Sequence, residues 1–411
     1  MVILQTEELF NQLLNLDNNW QVTSIEHDQI DLENIIINIQ YIKSKIPHPT
    51  SNELLNIYDH APIRQWRHLD IMQYKTYLRA RLPRVKGEDG KVVTITPPWA
   101  DKSVQYSTLF EYYIINLLKA AQNQTKTAHL ARCGFDVVNR IMHNATTRGL
   151  ARRKTNNITH LSLDEKSFKK GHNYISVLSN PQTGFILDIE EDRTVKATKK
   201  LFNKVLSTKQ QKQIKTISVD MWQSYLSTAE KLLPNSEIAH DRFHLVKYLN
   251  NAIDKVRRKE AKTQGVLLKH SRYVLLKNPD NLTEKQQLKF ASIAQANLEV
   301  SKAWRVRENF KSMFNPAQTP EEALCLFDAW STASLKLKIG AISKVVEMFC
   351  RHLKGVVYAL ANRFSNAMAE RLNGKIQILK SIGRGYRTFD NFRSAILFFY
   401  GGLDVYPLKK R

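Results

Sequence analysis

The stretch HLSLDEKSF, His160 to Phe168, decides how this chain is read. Leu161 and Leu163 alternate with small polar residues, the period-2 pattern of a half-buried strand. The strand runs into two adjacent carboxylates, Asp164 and Glu165, in a chain that is otherwise strongly basic. Neighbouring side chains on a strand point to opposite faces, so the two acids cannot serve one site. Asp164 shares its face with Ser162, and Glu165 shares its own with Leu163.

Downstream, NYISVLS, TGFILDIEED, IKTISVDMW and SEIAHDRF read as four more short strands. Gly171 and NPQTG separate the first three strands as in a meander, and VKATKKLFNKVLS and QSYLSTAEKLL flank the fourth as helices. Three meandering strands followed by helix, strand, helix and strand predict a mixed five-stranded α/β sheet. The first, fourth and fifth strands each end in an acid: Asp164, Asp220 and Asp241. In this order the first and fourth strands are expected to be neighbours. Asp164 and Asp220 then lie side by side, repelling each other unless a cation sits between them.

A third acid is available from a helix, Glu370 in SNAMAERLNGKIQ. Two strand-end acids and one helical acid make an oxygen-rich set suited to Mg²⁺ or Mn²⁺. Two such ions can activate an attacking oxygen and steady a leaving one during phosphoryl transfer. Glu165 competes with Asp164 for the first position, and Asp241 with Asp220 for the second. Strand-end acids also serve as helix caps and solvated loop residues, so the pattern alone leaves both readings open.

The whole composition bears on the partner. Lys and Arg number 62 against 38 Asp and Glu, a net charge of +24 over 411 residues. That imbalance favours a polyanion, nucleic acid ahead of an acidic membrane surface. Cys133, Cys325 and Cys350 are far apart and form no CxxC, which excludes a disulfide framework or a cysteine zinc site. The N-terminal MVILQTEELFNQLL has early acids and no basic leader, and no apolar run approaches the roughly 20 residues of a membrane span. The expected compartment is the cytoplasm, with association to the nucleoid and no membrane.

Residues 1–100 read as a small N-terminal module in which Trp66, Tyr74 and Tyr77 interleave with Arg64, Arg67, Lys75, Arg79, Arg81 and Arg84. Such a stretch can stack bases and meet phosphates, or be a small sheet with a basic face. Residues 101–155 turn helical. Within TKTAHLARCGFDVVNRIMHNATTRGL, a short helix over Thr127–Arg132, a turn through Cys133–Phe135 and a second helix capped by Asp136 predict a helix-turn-helix. Between Lys119 and Lys154 there are eight basic residues against one acid, Asp136. Arg132, Arg140, Arg148, Arg152, Arg153 and Lys154 are candidate DNA contacts. A second basic run follows Glu370, with Arg371, Lys375, Lys380, Arg384 and Arg387 as further candidates. Residues 156–242 carry the first part of the sheet domain, 243–355 a helical insertion without strand alternation, and 356–411 the remainder with the Glu370 helix.

The stretches LSLDEKSFKKGHNYISVL, ISVDMWQSYLSTAEKLLPNSEIAHDRFHLVKYLNNAIDKVRR and SNAMAERLNGKIQILKSIGRGYRTFDNFR resemble the DDE transposases of bacterial insertion sequences, specifically the ISL3 family. IYDHAPIRQWRHLDI and RLPRV with PPWA resemble the family's N-terminal part, so the likeness runs over roughly residues 55–400. The resemblance implies a ribonuclease-H-like core with Asp164, Asp220 and Glu370 as catalytic and metal-binding triad, and a helical insertion ahead of Glu370. It also implies double-stranded DNA partners, the element's terminal inverted repeats and the target, and a homodimer or higher oligomer on DNA. The expected reaction is Mg²⁺-dependent strand cleavage and strand transfer without a covalent enzyme intermediate. His172 and Arg242 stand in family-like motifs as DNA contacts or packing residues.

One departure concerns the zinc finger that precedes the helix-turn-helix in the family. No cysteine precedes Cys133, and IPHPTSN and VKGEDGK stand where ligand pairs are expected. His48, His60 and His68 do not replace four thiolates, so a structural zinc is not expected. A domesticated, non-catalytic DNA binder and a nuclease of the same fold are the rival functions.

Overall fold

The computed structural model describes residues 6–49, 52–155, 157–169, 173–315, 318–361 and 367–408. Two compact units divide the chain: Met1–Arg153 with Ser381–Phe399 and Leu403–Arg411, and Lys154–Lys380 with Tyr400–Gly402. The segment 356–411, drawn from sequence as one piece, is thus shared between them.

The first unit opens with a four-stranded sheet in the spatial order Trp20–His27, Asn34–Tyr41, Lys75–Ala80, Arg64–Arg67. Alternate residues of these strands fill its core: Trp20, Val22, Ile37, Ile39, Trp66 and Leu78 are buried together with Trp99. Trp66 is fully buried, its ring edge-on to Trp99 at 5.6 Å, so it packs the core and cannot stack a base. Two small hairpins join the sheet, Lys45–Pro47 with Leu54–Asn56 and Pro83–Lys86 with Val92–Thr94. Gly90 supplies the positive φ, 77°, that the second turn requires.

Helices Thr108–Ala121, Gln124–Leu130 and Phe135–Arg152 follow. Ser107 and Asn123 cap the first two by accepting backbone N–H groups. The turn runs over residues 131–134, with Arg132 left-handed (φ 52°), and the N-cap of the long helix is Gly134 rather than the expected Asp136. Asp136 is therefore inside the first turn, where its charge meets the positive end of the helix dipole. The C-terminal residues complete this unit. His143 bonds to Asn391 at 2.8 Å and Ser394 at 2.8 Å, and Arg148 donates to the Val405 carbonyl at 2.7 Å. A Cβ at Gly149 would stand 2.7 Å from Leu403 Cβ, so only glycine admits this tail.

The second unit is built on five strands: β1 (His160–Lys169), β2 (Asn173–Asn180), β3 (Phe185–Glu191), β4 (Thr216–Val219) and β5 (Glu237–His240). Their order is β3-β2-β1-β4-β5, antiparallel among the first three and parallel across β1, β4 and β5. Helices Val195–Val205 and Gln223–Leu232 cover one face, where Leu161, Leu163, Leu178, Leu201, Phe202, Ile217, Val219 and Tyr225 form the core. The expected α/β core is present, and the neighbouring of first and fourth strands is met. From Arg242 to Ala361 the described residues are helical, around a second core that includes Leu245, Leu249, Phe310, Phe327, Trp330 and Phe349. A last helix, Ala367–Ile382, carries Glu370.

Candidate active site

Parallel pairing of β1 with β4 sets Ser162 opposite Ser218 and Leu163 opposite Val219. One residue further, both strands deliver their acid at the same level: Asp164 from β1 and Asp220 just past β4. Each carboxylate accepts the N–H that follows it, Asp164 from Glu165 at 2.7 Å and Asp220 from Met221 at 2.7 Å. Asp164 is buried, and the Asn373 amide, on the helix that carries Glu370, donates to its Oδ2.

The cation expected between the two acids is a side chain. His244 lies with Nδ1 3.1 Å from Asp220 Oδ2 and Nε2 3.5 Å from Asp164 Oδ1. Burial alone would lower its pKa, but the two carboxylates and the nearby Asp241 raise it to about 10. The imidazolium is thus the charged form at neutral pH. Burial would likewise raise the Asp164 carboxyl, yet His244, the Asn373 amide and the Glu165 N–H hold it below the usual carboxylate range.

The two rival acids have other partners. Asp241 caps the Arg242–Glu260 helix, accepting from Phe243 N at 2.7 Å and His244 N at 3.4 Å. Glu165, on the opposite face of β1, pairs with Arg193 at 2.7 Å. Arg242 turns its guanidinium to the Ala359 carbonyl at 2.8 Å and over the Phe314 ring at 4.9 Å, a packing arrangement. Gly171, His172 and the Glu370 side chain lie outside the described residues; the Glu370 backbone is in the helix, one turn before Asn373.

Sequence reasoning missed His244 and Asn373. The available signals were spacing: His244 falls three residues after the helix-capping Asp241, and Asn373 three after Glu370.

The donor chemistry fits a hard divalent cation. Carboxylate oxygens come together from two strands beside the helix bearing a third acid, and the pair already draws a positive charge to itself. Asp164 and Asp220 are the carboxylates that could hold such an ion among the described residues. Among the described residues no three His, Cys, Asp or Glu side chains form a metal-binding group.

The basic candidates divide by whether their charge is already committed. Arg148 pairs with the buried Glu111 at 2.5 Å, Arg152 with Asp404 at 3.1 Å and the Tyr406 carbonyl at 2.6 Å. Arg132 reaches Asp70 at 3.2 Å, Glu33 at 3.5 Å and the Gln73 carbonyl at 2.6 Å. Arg140 and Lys154 are exposed, and Arg153 is half-buried at the end of its helix. Arg64, Arg67, Lys75, His129, Arg132 and Arg140 line a groove of about 1010 Å³ between the N-terminal sheet and the helix pair of the first unit. On the Glu370 helix, Arg371 is exposed, Lys375 lies 5.5 Å over the Tyr400 ring, and Lys380 donates to the Ser167 carbonyl at 3.1 Å. Arg384 and Arg387 are exposed.

A family model described as transposase, that of the ISL3 group, matches residues 161–396, more than half of the chain. The chain belongs to the ISL3 family of transposases. It is 25% identical to the transposase for insertion sequence element IS1557 of Mycobacterium tuberculosis, over 94% of this chain and 93% of that protein. It is 27% identical to the transposase for insertion sequence element IS1001 of Bordetella parapertussis, over 57% of this chain and 59% of that protein.

A second model, the zinc-finger of transposase IS204/IS1001/IS1096/IS1165, matches residues 52–86. The match falls within the N-terminal module, where a finger position without its cysteines was expected, and it speaks against the expectation of no structural zinc. The residues present do not fit a zinc ion. The matched segment has no cysteine, Asp59 is paired with Arg84, and His68 is buried against Ser107 Oγ at 2.7 Å. Burial and the adjacent Arg67 charge push the His68 pKa down to about 4. Among the described residues no helix is long and apolar enough to cross a membrane.

Proposed function

We propose that this protein is a DDE transposase that binds the terminal inverted repeats of its insertion sequence and cuts and joins DNA through Asp164, Asp220 and Glu370. The observation that carries the reading is the pairing of Asp164 and Asp220 at one level of the sheet, with an imidazolium bridging them. A buried carboxylate beside a half-buried one costs folding free energy unless a cation offsets them, and a site of this kind is kept for chemistry that needs one. The α/β sheet with its inserted helices supports a ribonuclease-H-like core, and the helix pair Gln124–Leu130 and Phe135–Arg152 supports a helix-turn-helix.

In this reading Mg²⁺ or Mn²⁺ ions supply Lewis acidity toward the scissile phosphate and the attacking oxygen. The protein's own residues do the rest. The strand register holds the two acids at fixed spacing, Asn373 fixes the Asp164 carboxylate, and the Glu370 helix brings the third acid. His244 stabilises the acid pair when no metal is bound. The exposed arginines and lysines of both units meet phosphates of the element ends and target, and two protomers on DNA align two ends.

The test is cleavage and joining of labelled duplexes taken from the gene's own flanks, in Mg²⁺, by wild type and Asp220→Asn. Cutting at the element boundary by wild type alone supports the reading. Specific binding without cutting in Mg²⁺ or Mn²⁺ overturns it in favour of a non-catalytic DNA binder.

A further inference from the structure

We infer that Trp222 is a stacking platform for an unpaired base of the DNA end, on the same loop as Asp220; the inference rests on the function proposed above. Trp222 follows Asp220 by two residues and precedes the Gln223–Leu232 helix. It is 39% exposed, although large aromatics next to a sheet core are normally covered. The ring is held rather than loose. The Arg193 guanidinium lies 4.0 Å from its centroid, and its Nε1 donates to the Arg193 carbonyl at 3.0 Å. Arg193 is fixed in turn, 4.3 Å from the Tyr174 ring and 2.7 Å from Glu165.

This arrangement is specific in its chemistry. Arg193 has its charge offset by Glu165, so its role toward Trp222 is to cover one face of the indole and set its angle. The 39% of Trp222 that is exposed is what remains for a planar ligand. In an intact duplex both faces of every base are already stacked, so an indole can take a base only where the strand is open. The position two residues from a proposed metal ligand makes that place the DNA boundary being cut. Arg193 is a positioning residue, acting through Trp222.

The test uses full-length protein as wild type, Trp222→Leu and Trp222→Phe, with duplexes from the gene's flanks carrying 2-aminopurine at each position next to the boundary. Leu keeps apolar bulk without an aromatic face, and Phe keeps a face. Expected, on ends pre-opened by a mismatch so that the probe is unstacked and bright when free, is a boundary position whose 2-aminopurine is quenched on binding wild type or Trp222→Phe and stays bright with Trp222→Leu. End-binding affinity should be unchanged. In Mg²⁺, Trp222→Leu should cut fully paired ends about 10–100-fold more slowly, the scale of one lost base–aromatic stack. Mismatches that pre-open the boundary should recover most of that loss. Equal quenching by all three proteins at every position, or equal loss on paired and pre-opened ends, overturns the inference. If wild type cuts no substrate, the catalytic reading fails on its own, and the fluorescence still decides the platform.

Discussion

Two pairs of acids belong to one sheet, and they are neutralised in different ways. On β3, Asp188 and Glu190 are buried, and the lysines of the Val195–Val205 helix serve them: Lys200 at 2.7 Å from Glu190, Lys204 at 3.6 Å from Asp188. At the ends of β1 and β4, Asp164 and Asp220 share His244. Local geometry does not separate the pairs, since Asp188 accepts the N–H of the next residue at 2.7 Å as Asp164 and Asp220 do. The partner separates them. Two lysines serve the β3 pair, Lys200 at Glu190 and Lys204 reaching both acids, at 3.6 Å from Asp188 and 3.8 Å from Glu190, whereas a single imidazolium serves both strand-end acids. A shared ligand that binds through two nitrogens can be displaced by an ion that binds oxygen better, and a pair so held is suited to exchange its cation.

Breaking each pair should therefore produce different losses. Asp220→Asn or Asp164→Asn should lower DNA cleavage on the order of 10³-fold or more, the scale for removing one member of a cooperating catalytic set. Thermal stability should fall as well, because His244 then loses one of the two carboxylates that hold its charge. Near-normal cleavage by either variant would show that the strand-end acids are structural. Asp188→Asn is the matched control on β3. It should cost about 1–3 kcal/mol of stability, because it removes the nearer of the two buried carboxylates that Lys204 pairs with. The specific activity of the folded fraction should stay unchanged. Denaturant unfolding and active-fraction assays read the two effects separately.

Two histidines sharpen the contrast further. His240 and His244 are four residues apart, yet His240 is pushed down to about 4 while His244 is raised to about 10. His240 packs against His352, with burial the main cause and that neighbour's charge the second. With His68, also lowered to about 4, His240 must charge as the chain unfolds in mild acid. Both folded values lie below the unfolded value near 6.5, so the unfolded chain binds more protons between them. Their stabilisation is present above pH 6.5 and is lost as the pH falls toward 4, about 2 kcal/mol or more for each. Unfolding midpoints measured from pH 7 to 4 should fall, and His240→Gln should flatten part of the slope. A midpoint unchanged across that range would contradict the buried, neutral assignment.

The sheet was legible because its alternating apolar runs match the period of the pleat, and the strand order followed from their spacing with the helices. The acids at the ends of β1 and β4 came with it, since a parallel register leaves little freedom in where the next residue lies. Asp241 was offered as a metal ligand and is a helix cap, because both roles place an acid just after a strand. His244, Asn373, and the Arg193–Trp222 stack were not legible. They meet from separate elements, and single-sequence patterns carry no register between a helix and a distant strand. Trp66 misled because the arginines around it pack with it, Arg64 lying over its ring at 5.0 Å and Arg67 being buried in the same strand. The turn before the Phe135–Arg152 helix was placed about a residue late, and its cap was assigned to Asp136 where Gly134 stands.

The smallest expected effect tests the same distinction, committed charge against available charge, within one helix. Arg140 is exposed and lines the groove of the first unit, while Arg148 is tied to Glu111 and to the Val405 carbonyl. Arg140→Ala should weaken binding to duplex DNA of any sequence several-fold and reduce the slope of log affinity against log salt by about 1, as for one lost phosphate contact. Arg148→Ala should leave that slope unchanged. It should instead lower stability, because Glu111 is then buried without its cation; burial already raises the Glu111 pKa. Titrations at several salt concentrations give the slopes, and melting gives the stability. If Arg148→Ala changed the slope as much as Arg140→Ala, the tail and Glu111 would have to release Arg148 when DNA binds.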